Sequence, residues 1–322
     1  MSDHQSKQSN HSGPRPPLRP ELSRQLWLWA ETIKLSHTVF AAPFLMVAVL
    51  LAAWPSWPPL TNLAWATLAF VGARSGAMTF NRWLDAELDR GNPRTADRPA
   101  AQGLFWPGLL LSLTALSLAL LVFAAAQLPA PCLQLSPLLV CWLLFYSAVK
   151  RFSWLCHYVL GLALAAAVIG GWLAIRGSWD WLPVSLAAGV TGWVAGFDII
   201  YALQDQQHDQ QAGLQSIPAR WGSSRAASIA LVSHLVAIVC FWLGLGLLPQ
   251  TAPALHWLLL SGYSLACLLL TSGLLKQHLD LAKQNKSIDQ IFFQANARVS
   301  VAFGLTILVT CLIAWAWTGP LK

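Results

Sequence analysis

Charge is scarce in this chain. Of its 322 residues only 10% are Asp, Glu, Lys or Arg, while 56% are hydrophobic. Soluble domains carry about a quarter charged residues, so an ordinary water-soluble globule is excluded. Cysteine is sparse and unpatterned: Cys132, Cys141, Cys156, Cys240, Cys267 and Cys311 show no C-x-x-C spacing. They read as small packing residues, with neither a disulfide framework nor a cysteine metal site indicated. Residues 1–22 lack an apolar core, so the stretch 1–24 is expected to be a solvated tail rich in Ser, Gln, His and Pro, not a secretory signal.

The apolar residues come in runs long enough to cross a bilayer as helix, which takes roughly 17–25 residues. Nine are expected, near 35–54, 60–83, 104–126, 132–149, 157–176, 181–204, 225–248, 254–275 and 299–317. Pro55, Pro58, Pro59, Pro129, Pro131, Pro249, Gly177 and Asn92-Pro93 punctuate them. The expected fold is therefore all-α and integral to a membrane: one domain over 25–322, nine spans around a central cavity open to the cytoplasmic face and to lipid. Basic residues are missing from the turns between spans one and two, three and four, and seven and eight. All Lys and Arg except Arg74, Arg176 and Lys322 fall on one side, and the positive-inside rule makes that side cytoplasmic, with the N-terminus inside. Membrane orientation accounts for the net charge of +7 without invoking nucleic acid. Trp54, Trp57, Trp179, Trp181 and Trp257 stand at span ends, where an interfacial belt is expected.

Against this background two acidic clusters stand out at the ends of the second and sixth spans. Asn81, Asp85 and Asp89 are spaced by four and are expected to stack on one helical face; Asp205 and Asp209 repeat the spacing, with Tyr201 one turn earlier. Carboxylates at a membrane edge need compensating charge. Mg²⁺ carried on a phosphorylated substrate supplies it most simply, with arginines holding the remaining phosphate charge. Arg82, Arg90, Arg94 and Arg98 crowd the first cluster, and Arg220 and Arg225 follow the second. Lys150 and Arg151 end the fourth span; they either anchor it at the membrane edge or reach the same phosphates. Arg74 lies two turns, about 10 Å, deeper than Asn81, and Asp198 two turns deeper than Asp205. An arginine at that depth needs an anion: either an acidic partner such as Asp198 or a substrate carboxylate. Lys34, His37 and Asn296, near the cytoplasmic ends of the first and last spans, either line the cavity or cap helices. Gly213 and Pro218 read as helix breakers, and His208, with no second histidine at metal spacing, as solvated.

These motifs resemble those of the UbiA superfamily of intramembrane prenyltransferases. Asp198-x-x-Tyr201-Ala202-x-x-Asp205-x-x-x-Asp209 and the following GLQSIPARWG are similar to the second motif of its 4-hydroxybenzoate polyprenyltransferase branch, and the likeness runs from about residue 25 to the end. The resemblance implies an enzyme that moves a polyprenyl group from its diphosphate to the ring of an aromatic acid. It implies Mg²⁺ on Asn81, Asp85, Asp89, Asp205 and Asp209, and diphosphate on Arg98, Lys150 and Arg151. Arg74 would then bind the acid's carboxylate, with Asp198 and Tyr201 catalytic and no obligate protein partner. One departure is Arg82, which stands where many members have Asp. With NPRT and FFQANARVS it resembles a sub-branch part of which serves menaquinone synthesis, with 1,4-dihydroxy-6-naphthoate as acceptor in place of the 4-hydroxybenzoate of ubiquinone synthesis. A membrane transporter is the rival outside the family. It would put ionisable groups at mid-membrane, whereas here they gather at one face.

Overall fold

A chain that buries long Leu-, Ala- and Val-rich runs in lipid can satisfy its N–H and C=O groups within helices. Helices are what the computed structural model contains. It describes residues 19–34, 38–283, 287–288 and 294–318, with no strand among them. In chain order the helices are α1 (Arg19–Thr32), α2 (Thr38–Ala53), α3 (Leu60–Leu84), α4 (Ala86–Gly91), α5 (Leu109–Ala125) and α6 (Ala130–Val149). There follow α7 (Cys156–Arg176), α8 (Trp181–Ala202), α9 (Gln206–Gln211), α10 (Ile217–Leu243), α11 (Pro253–Lys283) and α12 (Asn296–Thr318).

Each of the nine apolar stretches is helical over most of its described length. Six helices are long and apolar enough to cross a membrane: α6, α7, α8 with its continuation to Gln211, α10 with its continuation to Leu247, α11 and α12. The apolar parts of α2 and α5 are shorter. α3 is 25 residues long but carries Arg74, Asn81 and Arg82.

Several boundaries differ from the sequence reading. Helix α1 begins at Arg19, inside the stretch expected to be tail. It is fastened to the rest of the chain by Trp29 Nε1 donating to Thr79 Oγ1 (2.8 Å) and by Gln25, which bonds the Leu104 carbonyl and the Trp106 N–H. Helix α5 starts at Leu109 and not near 104, because Gly108 adopts a left-handed conformation (φ +74°) that closes the preceding turn. Helix α10 starts earlier than expected. Pro218, read as a breaker, sits in its first turn, where the missing N–H costs nothing, and Ser216 caps it by accepting from the Ala219 N–H. Trp54 is instead buried, its indole N–H on Thr251 Oγ1, whereas Trp179, Trp181 and Trp257 are exposed, as a belt requires. His37 lies outside the described residues.

In lipid, apolar association has little hydrophobic drive, so close packing must hold helices together. Gly161 on α7 provides one such approach: a Cβ there would fall 2.5 Å from the Thr191 carbonyl of α8. Helices α2, α7, α8, α10, α11 and α12 pack in a closed cycle. Its centre is filled by Phe44, whose ring lies 5.1–5.7 Å from those of Trp193, Phe241 and Phe303. Helices α3, α5 and α6 pack on one another, and α3 and α6 also pack on α7. Between this group and the cycle lies a cavity of about 540 Å³.

Candidate active site

Both acidic clusters sit where a long helix breaks into a short one. Asp85 joins α3 to α4 with φ −92°, ψ 1°, and Asp205 precedes α9 with φ −98°, ψ 1°. These are bridge-region conformations, so neither cluster lies on one straight helix as the spacing of four suggested. The i to i−4 bonds nevertheless continue through the first bend: Asp85 N–H donates to Asn81 O (2.9 Å) and Asp89 N–H to Asp85 O (2.8 Å). The bend therefore redirects the last turn while keeping Asn81 and Asp85 in contact, through Asn81 Nδ2 on Asp85 Oδ2 at 3.0 Å.

Every acid of the two clusters has a protein partner. Asp85, 2% exposed, accepts from Lys150 Nζ (2.6 Å) and from Arg151 Nη2 (2.8 Å). Arg98 Nη1 donates to both oxygens of Asp89 at 2.8 Å. Arg94 forks onto both oxygens of Asp205, donates to the Tyr201 hydroxyl (2.8 Å) and lies over the Tyr201 ring. Asn92 Nδ2 joins it on Asp205 at 2.7 Å. Burial opposes the Arg94 charge, but Asp205 and Tyr201 more than offset it and raise its pKa. Ser216 Oγ donates to Asp209 at 2.5 Å. The expected phosphate-binding cations Arg98, Lys150 and Arg151 are thus present at the clusters, resting on carboxylates. Asn92 and Arg94 carry the link between the two halves: they follow the first cluster and bind the second.

The two deeper residues look to different partners. Asp198 pairs with His157, whose Nδ1 lies 2.7 Å from its Oδ2. Arg74 donates to the Lys34 carbonyl (3.1 Å) and lines the cavity. Tyr146, bonded to the Ala77 carbonyl at 3.3 Å, lines the cavity beside it; most of the remaining wall is apolar, including Leu45, Leu139 and Leu173. Asn296 is buried in the bundle as the acceptor of the Trp193 indole N–H and is not part of the cavity wall. Lys34 is exposed.

Two acid–base half-sites at helix ends, together with an apolar cavity walled in part by Arg74, are the features expected for a substrate with an anionic head and a greasy tail. A family model described as the UbiA prenyltransferase family matches residues 41–306. The chain belongs to the UbiA prenyltransferase family. It is accordingly an enzyme, a prenyltransferase, and the transporter reading falls away. A UbiA homologue from Aeropyrum pernix K1 superposes with a TM-score of 0.74 at 31% identity, over 85% of this chain and 97% of that one. A 4-hydroxybenzoate solanesyltransferase from Synechocystis is 29% identical over 91% of this chain and 97% of its own length. The match to a polyprenyl transferase from an Arthrinium species, at 32% identity, spans about half of each chain. A UbiA homologue from Archaeoglobus fulgidus bound to DMAPP and Mg²⁺ shares the fold (TM-score 0.69, 16% identity, 88% of this chain and 99% of that one).

For a UbiA enzyme a divalent ion is the natural question, and the donor chemistry fits one. The clusters offer oxygen alone, from carboxylates and an amide, which suits Mg²⁺. Among the described residues no three Asp, Glu, His or Cys side chains converge into a ready ligand shell. Mg²⁺ is normally held by one or two carboxylates plus substrate phosphates and water, so a preformed cage is not required.

Proposed function

We propose that this UbiA enzyme transfers a polyprenyl group from polyprenyl diphosphate to the ring of an aromatic acid, most directly 4-hydroxybenzoate on the way to ubiquinone, at the cytoplasmic face of the inner membrane. The observation that carries this reading is Arg74. It places a guanidinium in the wall of an apolar cavity, on the same helix that carries Asn81 of the first acidic cluster. The solanesyltransferase relative acts on 4-hydroxybenzoate by its name, and the Archaeoglobus homologue was solved with a prenyl diphosphate and Mg²⁺. Residues 25–322 act as one domain, with the nine stretches as spans.

In this reading the acids give up their present partners when substrate arrives. Lys150, Arg151, Arg94 and Arg98 turn to diphosphate oxygens, and Asn81, Asp85, Asp89, Asp205 and Asp209 become available to Mg²⁺. When bound, Mg²⁺ neutralises charge on the leaving diphosphate. The cations do the same from the protein side as the carbon–oxygen bond breaks and its electron pair leaves with the diphosphate. The apolar cavity accepts the prenyl chain and excludes water from the allylic cation. Arg74 holds the acceptor carboxylate so that the ring carbon beside the hydroxyl forms the new bond. Asp198, with Tyr201 one turn away, accepts the proton that the acceptor hydroxyl releases as charge leaves the ring. The carbon-bound proton then departs to the released diphosphate to restore aromaticity, and Asp198 returns its proton to the phenolate oxygen, so that one proton is lost overall.

A second acceptor has a specific observation in its favour. Arg82, where many members have Asp, donates to Asn81 Oδ1 (3.3 Å) and so adds a cation to the first cluster. The substitution resembles that of a sub-branch part of which uses 1,4-dihydroxy-6-naphthoate. Purified protein given labelled polyprenyl diphosphate and Mg²⁺, with each acceptor separately, decides between them. Product with 4-hydroxybenzoate supports the first reading, product with the naphthoate alone moves the enzyme to the second, and neither product removes both.

A further inference from the structure

His157 has no place in the chemistry above, yet it is the side chain in contact with Asp198. It lies in the first turn of α7 with only 3% of its side chain exposed, while Asp198 keeps 26%. Its two ring nitrogens face groups of fixed character. Nε2 lies 3.2 Å from the backbone N–H of Ile217, which can only donate. Nε2 must therefore present a lone pair, and the proton of the neutral ring sits on Nδ1, where it is donated to Asp198 Oδ2 at 2.7 Å.

That amide also belongs to the frame of the second cluster. Ile217 opens α10, and the residues before it are tied on both sides: Gln215 N–H donates to the Lys150 carbonyl (2.8 Å) and Ser216 Oγ to Asp209 (2.5 Å). One imidazole thus connects the deep carboxylate to the segment joining Lys150 and Asp209.

We propose that His157 is the positioning residue for Asp198. Its Nδ1–H engages Oδ2 and fixes the carboxylate so that Oδ1 is presented to the acceptor. It is not a proton relay, because the Ile217 N–H closes the nitrogen through which a relay would pass the proton on. This rests on the reading of Asp198 as the acceptor's base.

Two half-isosteres separate the roles of the ring. His157→Asn keeps a nitrogen donor where Nδ1 stood and loses the acceptor for Ile217. His157→Gln reaches Ile217 with its carbonyl oxygen and disturbs the bond to Asp198. The expected result is a split. His157→Asn melts at a lower temperature with kcat near wild type. His157→Gln keeps its melting temperature and loses kcat by about tenfold or more, as for a misplaced general base, with the diphosphate KM unchanged. Activity that simply follows melting temperature in both variants overturns the proposal. So does a wild-type ¹⁵N spectrum showing His157 protonated at Nε2, a measurement that needs no variant to fold. Asp198→Asn is the control for the underlying reading. If it retains full activity, that reading falls and takes the proposal with it; if it is impaired while the half-isosteres do not split, only the His157 proposal falls.

Discussion

Asp85 shows how this site can hold charge at a membrane edge. Its side chain is 3% exposed and lies between Lys150 and Arg151, which are each about a third exposed. The cost of burying the carboxylate is offset by two cations that still reach water. A buried ion pair is poor evidence of a stabilising device and better evidence of a functional one. Asp85→Ala leaves two cations with nothing to oppose, and Asp205→Ala does the same to Arg94. Either change should lower prenyl transfer in Mg²⁺ buffer by at least about 100-fold, the scale of losing a charge-stabilising group, while the protein still enters the membrane fraction. Normal transfer in both would rule out the clusters as diphosphate holders. Arg74→Ala should act on the other substrate. Loss of charge-assisted bonds of ~1.5–3 kcal/mol raises the aromatic-acid KM about 10–100-fold, with the diphosphate KM little changed. An unchanged acid KM would return Arg74 to a structural part in holding the Lys34 carbonyl. The residues legible in the sequence were those whose spacing is local: Asn81, Asp85, Asp89, Asp205 and Asp209 repeat every four positions. His157, Asn92 and Ser216 gave no such signal. Asn92 meets Asp205 across 113 positions and His157 meets Asp198 across 41, and no local pattern encodes a contact of that range.

At the scale of elements, the same restriction explains which helices were foreseen. Apolar runs locate the helices because lipid leaves the backbone few alternatives. The ends are set by single residues whose local and tertiary settings compete. Gly108 delays α5, Ser216 advances α10 past a proline that merely enters its first turn, and α1 forms where composition suggested tail. The bends at Asp85 and Asp205 escaped the sequence reading because hydrogen bonding runs through the first one almost unbroken. What holds the two bent ends to each other is the α4–α5 connection, through Arg94 and Asn92 on Asp205. Arg94→Met keeps the length and apolar stem of the side chain but removes the fork. It should speed amide hydrogen exchange across residues 92–98 in the substrate-free enzyme and raise the diphosphate KM. Unchanged exchange in that stretch would mean that Asn92 and the α4 backbone hold the connection without Arg94.

For the whole molecule, the packing sets charge and cavity at different levels: the cavity runs from Arg74 and Tyr146 toward Leu128, Cys132 and Trp179. The cycle of α2, α7, α8, α10, α11 and α12 is closed by its aromatic centre, and the open volume lies beside it against α3, α5 and α6. The acids and their basic partners gather where α3 and α8 end. The opposite turns, such as that holding Trp179 and Trp181, carry exposed tryptophan, with Arg176 the basic residue there. If the charge bias sets orientation, a cysteine placed at Gln102, in the connection between α4 and α5, faces the cytoplasm, and one at Ser178, between α7 and α8, faces the other side. In a background lacking the six native cysteines, a membrane-impermeant maleimide added to intact cells should label Ser178→Cys and spare Gln102→Cys until the cells are opened. The reverse pattern would place the diphosphate mouth on the outer face, away from a cytoplasmic supply of its substrate, and would overturn the proposed orientation while leaving the chemistry of the site intact.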